Sequence, residues 1–138
     1  MELKPDQEKV EQAGPTAFGY ALFRDHILPS VLGRHEEEIL YWAGKELAST
    51  FPLFEMDEAP GFFREAGWGE LAQESLGKRE IVYILSPDPE QVKKGTRCYT
   101  AEAGFLAGQY QKINGKNSEC RPEPDRRQGI VKLILAWE

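Results

Sequence analysis

The sequence predicts an α+β fold with an antiparallel sheet. Apolar residues recur every three or four positions as far as about residue 63, which is the spacing of amphipathic helices. From residue 71 onward, runs rich in Val, Ile, Leu and Tyr alternate with short turns, as in β-strands. One further helix separates two predicted strand pairs. This order of helices, hairpin, helix and hairpin is typical of an α+β domain.

Length and charge restrict the domain organisation and the partners. The chain has 138 residues, and we expect a polar leader at residues 1–15 followed by one domain at residues 16–138. The net charge of −6 argues against binding to nucleic acid or an anionic membrane. No apolar run reaches the roughly 20 residues that span a bilayer, so no membrane insertion is expected. The leader lacks the apolar stretch of a signal peptide. Two cysteines are too few for a disulfide scaffold, so we expect a cytoplasmic protein.

Three helices are expected in the first half of the chain. The first follows Thr16 as a candidate N-cap, and Pro29 and Gly33 end or kink it. The second runs from Arg34 to Pro52. Asp57 is a candidate cap for a short third helix that stops at Gly67. The predicted apolar positions of the first two helices are Phe18, Ala21, Leu22, Phe23, Ile27 and Leu28, then Ile39, Leu40, Ala43, Leu47 and Phe51.

Four strands and a glycine-containing helix are expected in the second half. The predicted strands are residues 71–76, 80–85, 118–121 and 130–137, with residues 122–127 as a loop. Pro89 suggests one helical turn. The stretch AEAGFLAGQYQKING, residues 101–115, is predicted as a helix with Gly115 as its C-cap.

This helix carries two interior glycines that cost about 1 kcal/mol each relative to alanine. At 100° per residue, Tyr99, Ala103, Leu106, Tyr110 and Ile113 form one stripe that suits packing on the sheet. Gly104 and Gly108 lie opposite that stripe, with Ala101 beside them. They form a notch of bare backbone, which suits close approach by another helix, a partner subunit or an elongated apolar ligand.

No catalytic arrangement emerges from the motifs. The chain has no phosphate loop and no nucleophile elbow, and Ile39 stands where the zinc-protease motif starting at His35-Glu36 needs a second histidine. The other histidine, His26, is interpreted as a structural or surface residue. Cys98 precedes the glycine helix, where the helix dipole would lower its pKa; the alternative is a buried, inert thiol.

The segment FFREAGWG, residues 62–69, is unusually dense in aromatic residues. Together with Tyr41 and Trp42 it could line a pocket. The alternative is an ordinary hydrophobic core beneath the junction of helix and strand.

The motifs LPSVLG (28–33), YWAGKELASTFPL (41–53), FFREAGWGEL (62–71) and EAGFLAGQ (102–109) resemble the YslB-type proteins, a group of small uncharacterised bacterial proteins. The resemblance covers residues 16–137. It implies no activity that could be carried over.

More distantly, CYTAEAGFLAGQYQKINGK (98–116), followed by Glu119-Cys120 and a final strand, is similar to the vinyl-reductase-type domain, which shares its fold with TRAPP subunits. The resemblance implies helices on one side of a twisted four-stranded antiparallel sheet, often in dimers, with an apolar cavity for an aromatic effector or a fatty-acyl chain. Some relatives hold zinc. Cys98 and Cys120 match two of the zinc ligand positions, but the other two fall on Asn117 and near Gln128. Two soft ligands do not make a tetrahedral site, so no metal and no cofactor are predicted.

The favoured hypothesis is a non-enzymatic domain that binds a small apolar or acyl ligand between helices and sheet. The candidate ligand-binding residues are Trp42, Phe62, Phe63, Trp68 and Phe105, with Cys98 near the mouth. The alternative is an interaction or scaffold domain that acts as a homodimer without a cavity, with Ala101, Gly104 and Gly108 in close packing or at the interface. An enzyme is not predicted, because no nucleophile–base or acid–base pair stands out.

Overall fold

The computed structural model describes residues 16–138, which fall into two compact units divided between Gly33 and Arg34. The leader expected at residues 1–15 lies outside the described residues. The single domain expected over residues 16–138 stays a prediction.

The described part of the first unit is helical. Helix α1 (Ala17–Ala21) begins after Thr16, whose side chain accepts a hydrogen bond from the Gly19 N–H, as expected of an N-cap. A π-helical turn (Leu22–Ile27) and helix α2 (Leu28–Leu32) continue it, and the backbone turns at Gly33 with φ of 58°. Pro29 does not end the helix, because it lies at the start of α2, where a missing N–H is tolerated. Several residues of the predicted apolar face are exposed: Phe18, Leu22, Phe23 and Ile27.

The second unit starts with a long helix and a short one. A 3-10 turn (Gly33–His35) leads into α3 (Glu36–Thr50), whose first turn carries three glutamates at the positive end of its dipole. Its buried residues are Leu40, Gly44 and Ala48, whereas Ile39 and Phe51 from the predicted apolar face are exposed. After a 3-10 turn (Met56–Glu58) comes α4 (Ala59–Glu65).

The expected cap at Asp57 is wrong. Glu55 precedes the 3-10 turn and forms a capping box with Glu58, in which each side chain accepts a hydrogen bond from the other residue's backbone N–H. Asp57 lies inside that turn, so its backbone position is not that of a cap.

Four antiparallel strands form the sheet in the order β1-β2-β4-β3, which confirms the predicted class. The strands are β1 (Glu70–Leu76), β2 (Glu80–Ser86), β3 (Ser118–Asp125) and β4 (Ile130–Trp137). Between the two hairpins lie α5 (Pro89–Lys94) and α6 (Thr100–Asn114), and Gly115 caps α6 in the left-handed conformation as predicted. β1 carries a bulge between Gln73 and Ser75.

Strand β3 is longer than predicted and includes part of the expected loop at residues 122–127. Pro122 pairs with Leu133 and Pro124 with Val131. Proline is compatible with this strand because β3 is at the edge of the sheet, where an N–H that faces outward has no strand partner to lose.

Helix α6 is the centre of the second unit, since it packs on α3 and also on β3 and β4. The stripe predicted to face the sheet includes four buried residues, Tyr99, Ala103, Leu106 and Tyr110. The sheet contributes alternating buried residues from its two central strands, which are Ile81, Tyr83, Leu85, Val131, Leu133 and Leu135.

Candidate functional site

The glycine face of α6 is covered by α3. A β-carbon added to Gly104 would collide with the carbonyl oxygen of Tyr41, and one added to Gly44 would collide with the carbonyl oxygen of Ala101. A β-carbon on Gly108 would lie 2.8 Å from the Ala48 Cβ, closer than real Cβ contacts. Of the three occupants considered for this notch, the structure places a helix of the same chain there. The two helix backbones are therefore in direct contact, and this contact sets the positions of the site residues that follow.

Aromatic residues of α4 and of the turn after it all contact one residue of α6, Phe105. Phe62 stacks on Phe105 with ring centroids 4.3 Å apart and planes 16° from parallel. Trp68 meets Phe105 edge-on at 5.7 Å, and Phe63 contacts the same ring at 6.0 Å. Such offset and edge-to-face contacts add about 0.5–1.5 kcal/mol per pair beyond burial. Four of the six predicted ligand-binding residues thus form one aromatic cluster: Phe62, Phe63, Trp68 and Phe105.

Burial is uneven across the aromatic cluster. Phe63 and Phe105 are completely buried, whereas Phe62 and Trp68 are only partly buried. Phe51, at the end of α3, extends the cluster to the surface, with its centroid 5.8 Å from that of Phe62. The rings contact each other, so a ligand between them would have to displace Phe62.

The segment from Phe51 to Glu58 (the 51–58 segment) borders the aromatic cluster and is held by a buried amide. The Gln109 side chain accepts a hydrogen bond from the Leu53 N–H at 3.0 Å and donates to the Phe51 carbonyl at 2.7 Å. Gln109 is completely buried on α6. Farther along the segment, the N–H groups of Phe54 and Glu55 donate to the Glu58 carboxylate at 2.6 and 2.9 Å. Gln109 and Phe54 are not among the site residues predicted from the sequence.

Trp42 and Cys98 lie elsewhere in the second unit. Trp42 is on α3 and is 62% exposed. Cys98 lies close to the start of α3, because the Thr100 hydroxyl that it contacts at 3.0 Å donates to the Glu37 carbonyl at 2.8 Å.

Of the two alternatives for Cys98, a thiol with a lowered pKa and a buried, inert thiol, the surroundings of the residue favour the second. Burial raises the pKa of the thiol, and the negative charges of Glu36 and Glu37 raise it further. Together they outweigh the hydrogen bonds with the Thr100 side chain and backbone, which lower this pKa. The residue also precedes the N-cap Tyr99 instead of lying in the first turn of α6. A protonated thiol is a weak nucleophile.

Cys120 is part of the core and of the sheet edge. Burial strongly raises the pKa of its thiol. Its backbone N–H donates to the Tyr41 hydroxyl at 3.2 Å, so a side chain of α3 accepts a hydrogen bond from the edge strand β3. Within residues 16–138, no group of three or more His, Cys, Asp or Glu side chains is arranged so that it could hold a metal ion. The absence of zinc stays a prediction.

Two shallow grooves border the start of β3. One, of about 510 Å³, is lined by polar groups such as Lys45, Asn117 and Glu119, together with Trp137. The other, of about 350 Å³, includes Tyr41, Thr100 and Cys120. Neither involves the aromatic cluster.

Sequence comparisons connect the chain to proteins without an assigned activity. A family model described as "Protein of unknown function (DUF2507)" matches residues 17–136. An uncharacterised protein of Bacillus subtilis strain 168, YslB, is 35% identical over 136 residues, which is 95% of this chain and 90% of that protein. The YslB-type resemblance is thereby confirmed.

Solved structures share the fold at low identity. A vinyl-4-reductase family protein from Methanocaldococcus jannaschii has a TM-score of 0.65 at 22% identity, covering 96% of this chain and 87% of that one. An Fe(II) unliganded H-NOX protein mutant from K. algicida has a TM-score of 0.61 at 14% identity, covering 91% and 75%. A trafficking protein particle complex subunit 3 from Naegleria fowleri, covalently bound to palmitic acid, has a TM-score of 0.51 at 13% identity, covering 98% and 97%. At these identities the likeness shows the fold alone. Among the described residues, no helix is long and apolar enough to cross a membrane.

Proposed function

We propose that this chain, which belongs to the DUF2507 family of proteins of unknown function, is a non-enzymatic domain that binds a small apolar molecule or an acyl chain at the aromatic cluster. The observation that carries the proposal is the stacked pair of Phe62 and Phe105. One ring is fully buried on the central helix, and the other is partly buried on a helix of only seven residues. Phe62 is therefore the ring that gives way to a ligand.

The chemistry of the aromatic cluster favours an apolar ligand. Its four rings offer flat hydrophobic surface, and a ligand that enters between Phe62 and Phe105 exchanges one apolar contact for another. The side-chain amide of the fully buried Gln109 forms its hydrogen bonds with the 51–58 segment. We infer that shape and hydrophobic burial, more than hydrogen bonding, select the ligand.

The thiols support a binding role over a catalytic one. Burial raises the pKa of both Cys98 and Cys120, so neither is a ready nucleophile near neutral pH. Palmitic acid is the first probe to use, because the structural relative from Naegleria fowleri is described with that molecule.

Tryptophan fluorescence tests the proposal and its location. The double variant Trp42→Phe/Trp137→Phe leaves Trp68 as the sole tryptophan of the three in the chain, and it reports on the aromatic cluster. Palmitic acid below its critical micelle concentration is expected to change the Trp68 emission saturably, at one molecule per chain. The matched variant Trp68→Phe/Trp137→Phe retains only the exposed Trp42 and is expected to respond little. No saturable change at Trp68, or an equal change at Trp42, overturns the proposed site.

The homodimer implied by the vinyl-reductase-type resemblance is a separate proposal. Sedimentation equilibrium at micromolar concentration tests it: a mass near twice 15.7 kDa supports it, and a mass near 15.7 kDa refutes it.

A further inference from the structure

The 51–58 segment presents apolar side chains to solvent on a backbone that is held in place. Phe54 is 90% exposed and Phe51 is 51% exposed. Four hydrogen bonds between the backbone of the segment and the side chains of Gln109 and Glu58 nevertheless fix the backbone around these two residues. A segment ordered before binding loses little conformational entropy when a partner arrives, so the exposed Phe54 is well placed to be an anchor.

The charged residues that neighbour Phe54 in the sequence are all acidic. Residues 46–58 contain Glu46, Glu55, Asp57 and Glu58 but no Lys or Arg. The carboxylates of Glu55 and Glu58 both accept hydrogen bonds from backbone N–H groups of the segment, and Glu55 and Asp57 are exposed to solvent. Within the described residues, neither of these two carboxylates forms an ion pair with a basic side chain.

We propose that the 51–58 segment is a docking surface for a partner protein, which inserts apolar side chains against Phe51 and Phe54 and places Lys or Arg beside Glu55 and Asp57. Apolar contact supplies the affinity, and charge complementarity supplies orientation and selectivity against acidic partners. A basic amphipathic helix meets both requirements, because it carries its apolar and cationic side chains on adjoining faces. This surface adjoins the proposed ligand site, because Phe51 contacts Phe62. Phe54 is therefore the residue whose substitution tests the docking surface separately from the ligand.

Three synthetic peptides separate the contributions of apolar contact and charge. The first is a 14-residue amphipathic helix of leucine and lysine. The second replaces lysine by glutamate, and the third replaces leucine by serine. Binding is measured by fluorescence anisotropy of labelled peptides against the full chain at two salt concentrations. We expect saturable binding of the leucine–lysine peptide alone, weakened by salt.

Substitutions then locate the surface. Phe54→Ser is expected to weaken binding of the leucine–lysine peptide at least tenfold, whereas Leu76→Ser, at a residue 65% exposed on β1, changes it less than twofold. Asp57→Lys is expected to weaken binding about tenfold, and Glu119→Lys on β3, with the same change of net charge, changes it less. Unchanged binding in Phe54→Ser, or equal binding of the serine–lysine peptide, overturns the proposal. An absence of binding by the leucine–lysine peptide overturns it as well, and leaves the palmitic acid result unaffected.

Discussion

Gly104 lies directly against the main-chain carbonyl of Tyr41, so α3 and α6 meet through backbone atoms. Gly44 makes the reciprocal contact with Ala101. This approach covers the glycine face of α6 while the opposite stripe packs on the sheet. Phe105 and Gln109 are carried by the same helix, so the geometry of this contact sets the position of the aromatic cluster and of the 51–58 segment.

Gly104→Ala tests whether close approach explains the glycines. Alanine gains about 1 kcal/mol in helix propensity, but its methyl group collides with backbone that cannot rotate away, and overpacking costs about 1–3 kcal/mol or more. We expect a net loss of up to about 2 kcal/mol in the free energy of unfolding, measured by urea denaturation. Gly61→Ala on α4 is the control, because no atom lies within 4 Å of its added β-carbon, and it is expected to be neutral or stabilising. Greater stability in Gly104→Ala would refute the packing argument.

Gln109→Leu tests whether the buried amide holds the 51–58 segment. The substitution keeps side-chain volume similar but leaves the Leu53 N–H and the Phe51 carbonyl without their partner. We expect a loss of about 1–3 kcal/mol in stability. Hydrogen exchange at the Leu53 amide is expected to accelerate more than at Cys120. Gln111→Leu makes the same chemical change at an exposed position of α6 and is expected to leave exchange at Leu53 unchanged.

Tyr41→Phe tests the contact between α3 and the edge strand β3. Phenylalanine keeps the ring but removes the hydroxyl that accepts the Cys120 N–H. We expect a loss of about 1 kcal/mol in stability and faster exchange of the Cys120 amide, with exchange at Leu53 unchanged. Unaltered protection of Cys120 would mean that the hydroxyl is not its partner in solution.

The thiol of Cys98 is expected to react slowly. Because its pKa is raised, the thiolate fraction at pH 8 is lower than for a cysteine in an unstructured peptide, and alkylation by iodoacetamide is slower than that of such a peptide. Glu37→Gln removes one of the negative charges that raise this pKa. The pKa therefore falls, and the rate at pH 8 increases relative to Glu46→Gln, a matched change farther along α3. A Cys98 that reacts faster than the free thiol would contradict this assignment.

Much of this arrangement follows from local sequence, and the exceptions have identifiable physical causes. Strand β4, the sheet-facing stripe of α6 and the cap at Gly115 follow from periodicity and from glycine's tolerance of positive φ. Asp57 and Glu55 are acidic residues two positions apart, and the sequence does not show that Glu55, which forms reciprocal hydrogen bonds with Glu58, precedes the turn while Asp57 lies inside it. The prolines of β3 are typical of a loop until the strand is known to be at an edge.

The candidate site was predictable only where its residues are close in sequence. Phe62, Phe63 and Trp68 lie within one turn-rich stretch, and the aromatic density of that stretch was visible. Trp42 adjoins Tyr41 in sequence, but helical rotation directs the Trp42 side chain toward solvent, whereas the Tyr41 side chain reaches Cys120 on β3. The bond between Gln109 and Leu53 joins residues 56 positions apart, which no local pattern encodes.

Native mass spectrometry of the protein purified from its own host tests the central claim, binding of an apolar ligand at the aromatic cluster, most directly. The wild type and Phe62→Gln are compared, with Leu76→Gln as the control for a polar substitution of an exposed apolar residue. We predict an additional mass of one apolar molecule per chain in the wild type and in Leu76→Gln, and its loss in Phe62→Gln. Bare polypeptide masses for all three proteins, or an adduct that persists in Phe62→Gln, would contradict the account.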